Sequence, residues 1–237
     1  AKNEELGGDG LIFLRAGHVT DTHIDFSGVE RFHQGLPRPV ADLFPSTVVA
    51  IELGEIPVGW SVGSILEHAQ LMSGGTPKTD RPEYWGGDLA WASAKDVSQS
   101  PESFLIETQR TITQQGMEHS ATQIVPAFST VIVARGATTG RMALLGRDMA
   151  MNQTCYALVT TTHCPFALYC ELRHGVEALL RTAHGSVFDT ITTSTVAASR
   201  VVLAPQPVLR AFEELLAPAF GRLLATNCES RTLASRR

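Results

Sequence analysis

The stretch Thr130-Val131-Ile132-Val133-Ala134-Arg135-Gly136-Ala137-Thr138-Thr139-Gly140-Arg141-Met142-Ala143-Leu144-Leu145 reads as two apolar strands joined by a polar turn. Two arginines, two threonines and two glycines crowd the turn at 134–141. Glycine lets a backbone turn with positive φ and approach a partner closely. Arginine and threonine supply donors that suit phosphate oxygens and base edges. A few residues on, Met151-Asn152-Gln153-Thr154 is a second polar cluster leading into another strand-like run.

Outward from this hairpin, strand signals fall at 90–92, 130–135, 142–145, 156–160 and 200–203. Helical signals fall at 64–70, 101–115 and 165–182. In the last of these Phe166, Leu168, Tyr169, Leu172, Val176, Leu179 and Leu180 recur at helical spacing. Helices and short strands interleave without regular βαβ periods. A mixed, twisted α+β domain over 55–204 is therefore expected rather than a doubly wound sheet, and its length is ample for one core.

The flanks differ from this domain. Within 1–32, Leu11-Ile12-Phe13-Leu14-Arg15-Ala16-Gly17 is apolar and His23-Ile24-Asp25-Phe26-Ser27 alternates in strand fashion. Residues 33–54 are linker-like, with Pro37, Pro39 and Pro45 opposing helix. At the other end, Leu209, Phe212, Leu216, Ala219, Leu223, Thr226 and Leu233 approximate an a/d seam, with Ser230 as a polar interruption. A continuous helix over 206–237 would span about 48 Å. Pro218 is expected to kink or break it near Ala217. An ordinary helix packed on its own domain is the alternative to a paired coiled coil.

The 237 residues are 43% hydrophobic and 18% charged, the profile of a soluble globular protein. No apolar run approaches the roughly 20 residues of a membrane helix, and the N-terminus has no signal-peptide core. Cys155, Cys164, Cys170 and Cys228 form no Cys-x-x-Cys pair, so buried thiols in a reducing cytoplasm are the simplest reading. The net charge of −5 argues against a simple DNA-coating protein. Its distribution is uneven: residues 1–54 carry −4, 55–205 carry −3 and 206–237 carry +2. Reading sequence by a few base contacts needs a local basic face, not a basic protein.

Several segments, in consistent order over roughly 53–237, resemble the target-recognition domain of type I restriction-modification specificity subunits. They are Leu53-Gly54-Glu55-Ile56-Pro57-Val58-Gly59-Trp60, Ser73-Gly74-Gly75-Thr76-Pro77-Lys78-Thr79 and Tyr84-Trp85-Gly86-Gly87-Asp88-Leu89-Ala90-Trp91. Next come Ile112-Thr113-Gln114-Gln115-Gly116-Met117, which resembles a helix in the family, the 135–141 turn, the Asn152-Gln153 pair and His184-Gly185-Ser186-Val187-Phe188-Asp189. No single segment carries the resemblance; the ordered set does. It implies a partial first-half remnant and linker over 1–54, a DNA target-recognition domain over 55–204 and a helical spacer over 205–237. Family members usually continue through more helix beyond Arg236-Arg237.

Under that resemblance, Arg135 and Arg141 are candidates for bidentate contact with guanine or for clamping a phosphate. A solvated hairpin whose arginines pair with carboxylates is the plainer alternative. Thr138 and Thr139 suit phosphate or the turn's own hydrogen bonds. Asn152 and Gln153 suit adenine, but as part of a pattern shared by proteins that read different sequences they fit a structural role better. Lys78, Thr79, Arg81 and Lys95 lie on loops suited to base and phosphate contacts, and Ser186 beside Gly185 suits phosphate or a plain turn. Trp85 and Trp91 fit core packing better than base stacking. Leu209, Phe212, Leu216, Leu223 and Leu233 are the candidates for a dimer or partner helix.

No residues point to catalysis. There is no Asn-Pro-Pro-Tyr-like segment, no Walker lysine and no His-x-x-x-His pair. Cys155, His163, Cys164 and His174 follow no ligand pattern, so no metal site is expected. The resemblance implies a non-enzymatic reader of one half of a bipartite site in double-stranded DNA. Weak, strongly salt-dependent binding is expected of this acidic chain alone. Implied partners are methyltransferase and restriction subunits, which would carry S-adenosylmethionine, ATP and magnesium. Pairing with a second copy or with another specificity subunit is also implied. The alternatives are an assembly module or truncated remnant without DNA recognition, and an enzyme using Cys155 or a histidine.

Overall fold

Apolar strands buried on both faces build the centre of the molecule. A computed structural model describes residues 6–13, 30–32, 47–51, 54–100, 103–183 and 190–234. In chain order the strands are β1 (Leu6–Phe13), β2 (Glu30–Phe32), β3 (Val48–Ile51), β4 (Gly54–Pro57), β5 (Ser61–Gly63), β6 (Ala69–Ser73) and β7 (Trp85–Ala92). They continue as β8 (Phe104–Leu105), β9 (Arg110–Ile112), β10 (Thr130–Val133), β11 (Met142–Leu145), β12 (Ala150–Met151), β13 (Cys155–Thr160) and β14 (Val201–Leu203). The helices are α1 (Ala94–Gln99), α2 (Gln114–Glu118), α3 (Pro165–Ala183), α4 (Thr193–Ala197) and α5 (Gln206–Ala234).

The central sheet runs β6-β13-β10-β11-β8, antiparallel except for the parallel β11–β8 edge. A second sheet runs β12-β7-β9. Side chains alternate across the central sheet with period two. Val131, Val133, Ala143, Leu145, Cys155 and Ala157 face one cluster, which also contains Ala90 and Ala92 of β7 and Val97 of α1. Ile132, Tyr156 and Leu158 face the other side, against Leu168 and Leu172 of α3. Burial on both faces explains why these strands read as unbroken apolar runs. The mixed α+β class is the one expected.

Some local expectations are corrected. The helical signal at 64–70 holds for a single 3-10 turn, Ile65–Glu67, closed by a Ser64–Glu67 capping box. The next residues join β13 as β6, with Ser73 opposite Tyr156 and Ala69 opposite Thr160. Sheet pairing wins over the local start signal. The stretch 101–115 is not one helix either. Its described part holds β8, paired to β11, and β9, paired to β7, before Thr113 caps α2.

Pro218 does not end α5, which is continuous from Gln206 to Ala234. Pro218 and Glu214, whose carbonyl loses its helical donor, are both exposed, so the lost bond falls on the solvent side of the helix. Leu216, Phe220 and Leu223, on both sides of the proline, are buried against Phe104, Phe166 and Tyr169. The Phe166 and Phe220 rings stack 4.6 Å apart. At the base of this contact, Glu213 accepts the Phe166 and Ala167 N–H groups of the α3 N-terminus at 3.0 and 2.8 Å. The strand-like run at 23–27 lies outside the described residues.

Candidate nucleic-acid interface

Strand register gathers separated polar segments at one end of the molecule. Val133 lies opposite Cys155, and Tyr156 lies opposite Ser73. The exits of β6 and β10 and the start of β13 therefore share one end of the sheet. The 134–141 turn closes there, because β11 returns with Met142 opposite Ile132. The second sheet ends at the same place: Met151 lies beside Ala92, and the Asn152 N–H donates to the Ala92 carbonyl at 2.9 Å. The 74–80 loop, the start of α1, the 134–141 turn and the 152–154 corner thus converge.

Backbone contacts make this corner tight. The Gly75 N–H donates to the Met151 carbonyl at 2.9 Å, and the Ala134 N–H to the Thr154 carbonyl at 2.8 Å. A Cβ on Gly74 would stand 2.1 Å from the Asn152 carbonyl oxygen. The indole N–H groups hold the loop from the other side, Trp91 to the Gly75 carbonyl at 3.0 Å and Trp85 to the Lys78 carbonyl at 3.1 Å. Both tryptophans therefore act as supports, Trp91 buried and Trp85 half-buried.

On this frame Lys78, Thr79, Lys95, Arg135, Arg141 and Gln153 are exposed. Among the described residues neither Arg135 nor Arg141 has a carboxylate within ion-pair reach. Gly136 and Gly140 turn the chain between them at φ +99 and +90. Arg81 stands after the loop, 3.7 Å from Glu83, with both side chains open to water. The Thr139 hydroxyl donates to the Gly136 carbonyl at 2.6 Å, and the Thr138 carbonyl accepts the Arg141 N–H.

Asn152 Oδ1 accepts the Thr154 N–H at 3.1 Å and the Thr154 hydroxyl at 2.8 Å, closing its own corner. Gln153 Oε1 accepts the Thr76 hydroxyl, tying two of the converging segments together. Ser186 lies outside the described residues. The carboxylate that the sequence places beside Lys95 does not oppose the basic surface: Asp96 is buried, bonding the Ser93 and Gln109 N–H groups at 2.9 Å each. A further exposed cation, Arg110, sits opposite Trp91 at this same end, and no motif marks it.

Three of the four thiols, Cys155, Cys164 and Cys170, are poorly placed for nucleophilic chemistry. Burial pushes Cys155 and Cys170 up to about 12 and raises Cys164 as well. Each therefore stays a thiol near neutrality, and the thiolate is the reactive form. Among the described residues no group of three or more His, Cys, Asp or Glu side chains could hold a metal ion. No described helix is long and apolar enough to cross a membrane.

The seam residues of α5 divide. Leu209, Leu216 and Leu223 are buried against the chain's own helix α3 and central sheet. Phe212 and Leu233 face outward, joined by Leu215, with 37, 58 and 51% of their surface exposed.

The chain thus combines mixed sheets, a convergent polar loop end and a long trailing helix. The family model described as the type I restriction modification DNA specificity domain matches residues 57–205, and the chain belongs to that family. It is 29% identical over 102 residues to the MjaIX specificity subunit of Methanocaldococcus jannaschii, covering 43% of this chain and 23% of that protein. It is 21% identical over 203 residues to the HindI specificity subunit of Haemophilus influenzae, covering 81% of this chain and 43% of that one. The fold is similar to the HsdS subunit from Thermoanaerobacter tengcongensis, with TM-score 0.53, 15% identity, and coverage of 81% of this chain and 44% of that chain. It is also similar to the S subunit from M. genitalium, with TM-score 0.52, 11% identity, and coverage of 74 and 43% respectively. The chain thus spans less than half the length of these relatives.

Proposed function

We propose that this chain is a non-catalytic DNA-recognition module that reads one half of a bipartite site through the loop end of its sheets. The observation that carries this reading is the convergence there of Lys78, Lys95, Arg135 and Arg141, all exposed, while nearby Asp96 is buried as a cap. Four exposed cations against one exposed carboxylate in these segments, Asp80, make a locally cationic face on a chain of net charge −5, which favours docking of one surface over general DNA coating. Bound arginines would take phosphate oxygens or guanine edges. Thr138, Thr139 and Asn152 serve the turn and corner; Gln153 ties the loop to the corner and keeps an exposed amide.

A methyltransferase subunit and a restriction subunit are the proposed partners, and they would carry S-adenosylmethionine, ATP and magnesium. The work is assigned to the cytoplasm, where such partners and DNA meet. Phe212, Leu215 and Leu233 form an outer stripe on α5 for pairing with a second recognition module, since Leu209, Leu216 and Leu223 are already buried. Selection from a random duplex library, with the chain alone and with its methyltransferase subunit at two salt concentrations, tests the reading. Enrichment of a split motif supports it. No motif in either case, with folded protein, favours an assembly role instead.

A further inference from the structure

Arg110 opens β9, directly opposite Trp91 across the antiparallel β7–β9 pair. Its guanidinium carbon lies 3.4 Å from the centre of the Trp85 ring and 5.8 Å from that of Trp91. The two indoles meet edge to face at 5.1 Å. The indole N–H groups are already bonded to the carbonyls of Lys78 and Gly75. The plate under Arg110 is therefore fixed on the same loop that begins the candidate interface.

The backbone around Arg110 is held as well. The Thr108 hydroxyl donates to the Arg110 carbonyl at 2.7 Å and accepts the Trp91 N–H at 3.2 Å. The adjacent Gln109 N–H donates to Asp96 Oδ1 at 2.9 Å. Despite this order, Arg110 is exposed, and among the described residues no carboxylate lies within ion-pair reach of it. Stacking covers one face of the guanidinium and leaves its in-plane N–H donors, among the described residues, free to bond a ligand.

Such an arrangement costs little further side-chain entropy on binding, because the stack has already narrowed the rotamers. A phosphate can also accept both arms of a guanidinium, but its oxygens can be approached from many directions. A fork held at one set angle discriminates only where the acceptor pair is itself fixed in direction, as O6 and N7 of guanine are. We infer that Arg110, stacked on Trp85, is a specificity-determining residue that reads a guanine in the DNA half-site. This rests on the DNA-recognition function proposed for the chain.

The test compares the wild-type chain with Arg110→Lys and Arg110→Ala, each with its methyltransferase subunit, after thermal unfolding shows that all are folded. Random-duplex selection on the wild type first defines the motif. Binding is then measured on that duplex and on duplexes with each guanine replaced in turn. Arg110→Lys keeps the charge and removes the fork. The expected result is a roughly 5- to 150-fold loss on the motif duplex, with no further loss when one particular guanine is replaced. The salt dependence should stay unchanged for the lysine variant.

A motif without guanine overturns the inference. So does full affinity and unaltered preference in both variants; in either case a wild-type motif leaves DNA recognition standing. Uniform weakening across all duplexes in Arg110→Ala, rescued by Arg110→Lys, makes Arg110 a phosphate contact and also overturns it. No wild-type motif at all removes both the inference and the reading beneath it.

Discussion

Gly74→Ala probes the corner on which the candidate interface is built. An added Cβ would lie 2.1 Å from the Asn152 carbonyl oxygen and 2.5 Å from that of Met151. Both obstacles are backbone atoms, so no side chain can swing away. Relief requires the 74–77 loop to move by more than an ångström. That movement breaks the Gly75 N–H bond to Met151, now 2.9 Å, and strains the Trp91 bond to the Gly75 carbonyl. Overpacking of this kind costs about 1–3 kcal/mol, and one lost buried hydrogen bond adds about 1 kcal/mol. Urea unfolding should therefore show a fall of about 2–4 kcal/mol with an unchanged slope. DNA affinity of the folded fraction should fall too, because Lys78 and Gln153 lose their placement. A variant as stable as the wild type, with equal affinity, would refute the account of this corner.

Other positions give separate tests. Arg135→Ala combined with Arg141→Ala should weaken DNA binding by about 2 kcal/mol or more, and an unaltered binding curve with intact folding would remove the turn from the contact surface. Asn227 is buried, and among the described residues neither its amide nitrogen nor its oxygen has a partner. Asn227→Leu should therefore raise stability by about 1–3 kcal/mol, and a lower unfolding midpoint would show that the amide is satisfied. Burial raises the Glu213 carboxyl above its usual 4.5, outweighing its bonds to the Phe166 and Ala167 N–H groups. The native state then binds the proton more tightly than the unfolded chain, so this group's contribution falls as pH rises from about 4.5 through the raised value. Glu213→Gln keeps an oxygen acceptor and removes that slope; parallel stability-versus-pH curves for the two proteins would contradict the assignment.

The central strands were legible because their burial is two-sided. Thr130-Val131-Ile132-Val133 and Met142-Ala143-Leu144-Leu145 carry no competing pattern. The boundaries of β11, Met142–Leu145, match expectation, and β13 begins one residue early. Residues 64–70 misled because Ser64 and Glu67 do make a helical cap, but only for one turn. The strand beyond that turn, β6, depends on β13, more than eighty residues away in sequence. Residues 101–115 misled for the same reason, since β8 and β9 exist only through partners elsewhere in the chain. Pro218 carries a strong local signal that burial of Leu216, Phe220 and Leu223 overrides.

The site followed the same division. Arg135 and Arg141 announce themselves through a glycine turn, and Lys78 through a Gly-Gly-Thr-Pro loop. That these loops meet is a matter of register, invisible to spacing. Arg110 stands in Gln109-Arg110-Thr111-Ile112, which has no motif, and its stack on Trp85 spans a strand pair.

The most direct test of the central claim is site-specific photocrosslinking to the selected DNA duplex in complex with the methyltransferase subunit. A probe at position 79 or 137, on the loop end of the sheets, should crosslink to DNA. A probe at position 147, beyond the opposite end of β11, should not. Crosslinks from 147 with none from 79 or 137 would place DNA on the wrong end of the molecule and contradict the account.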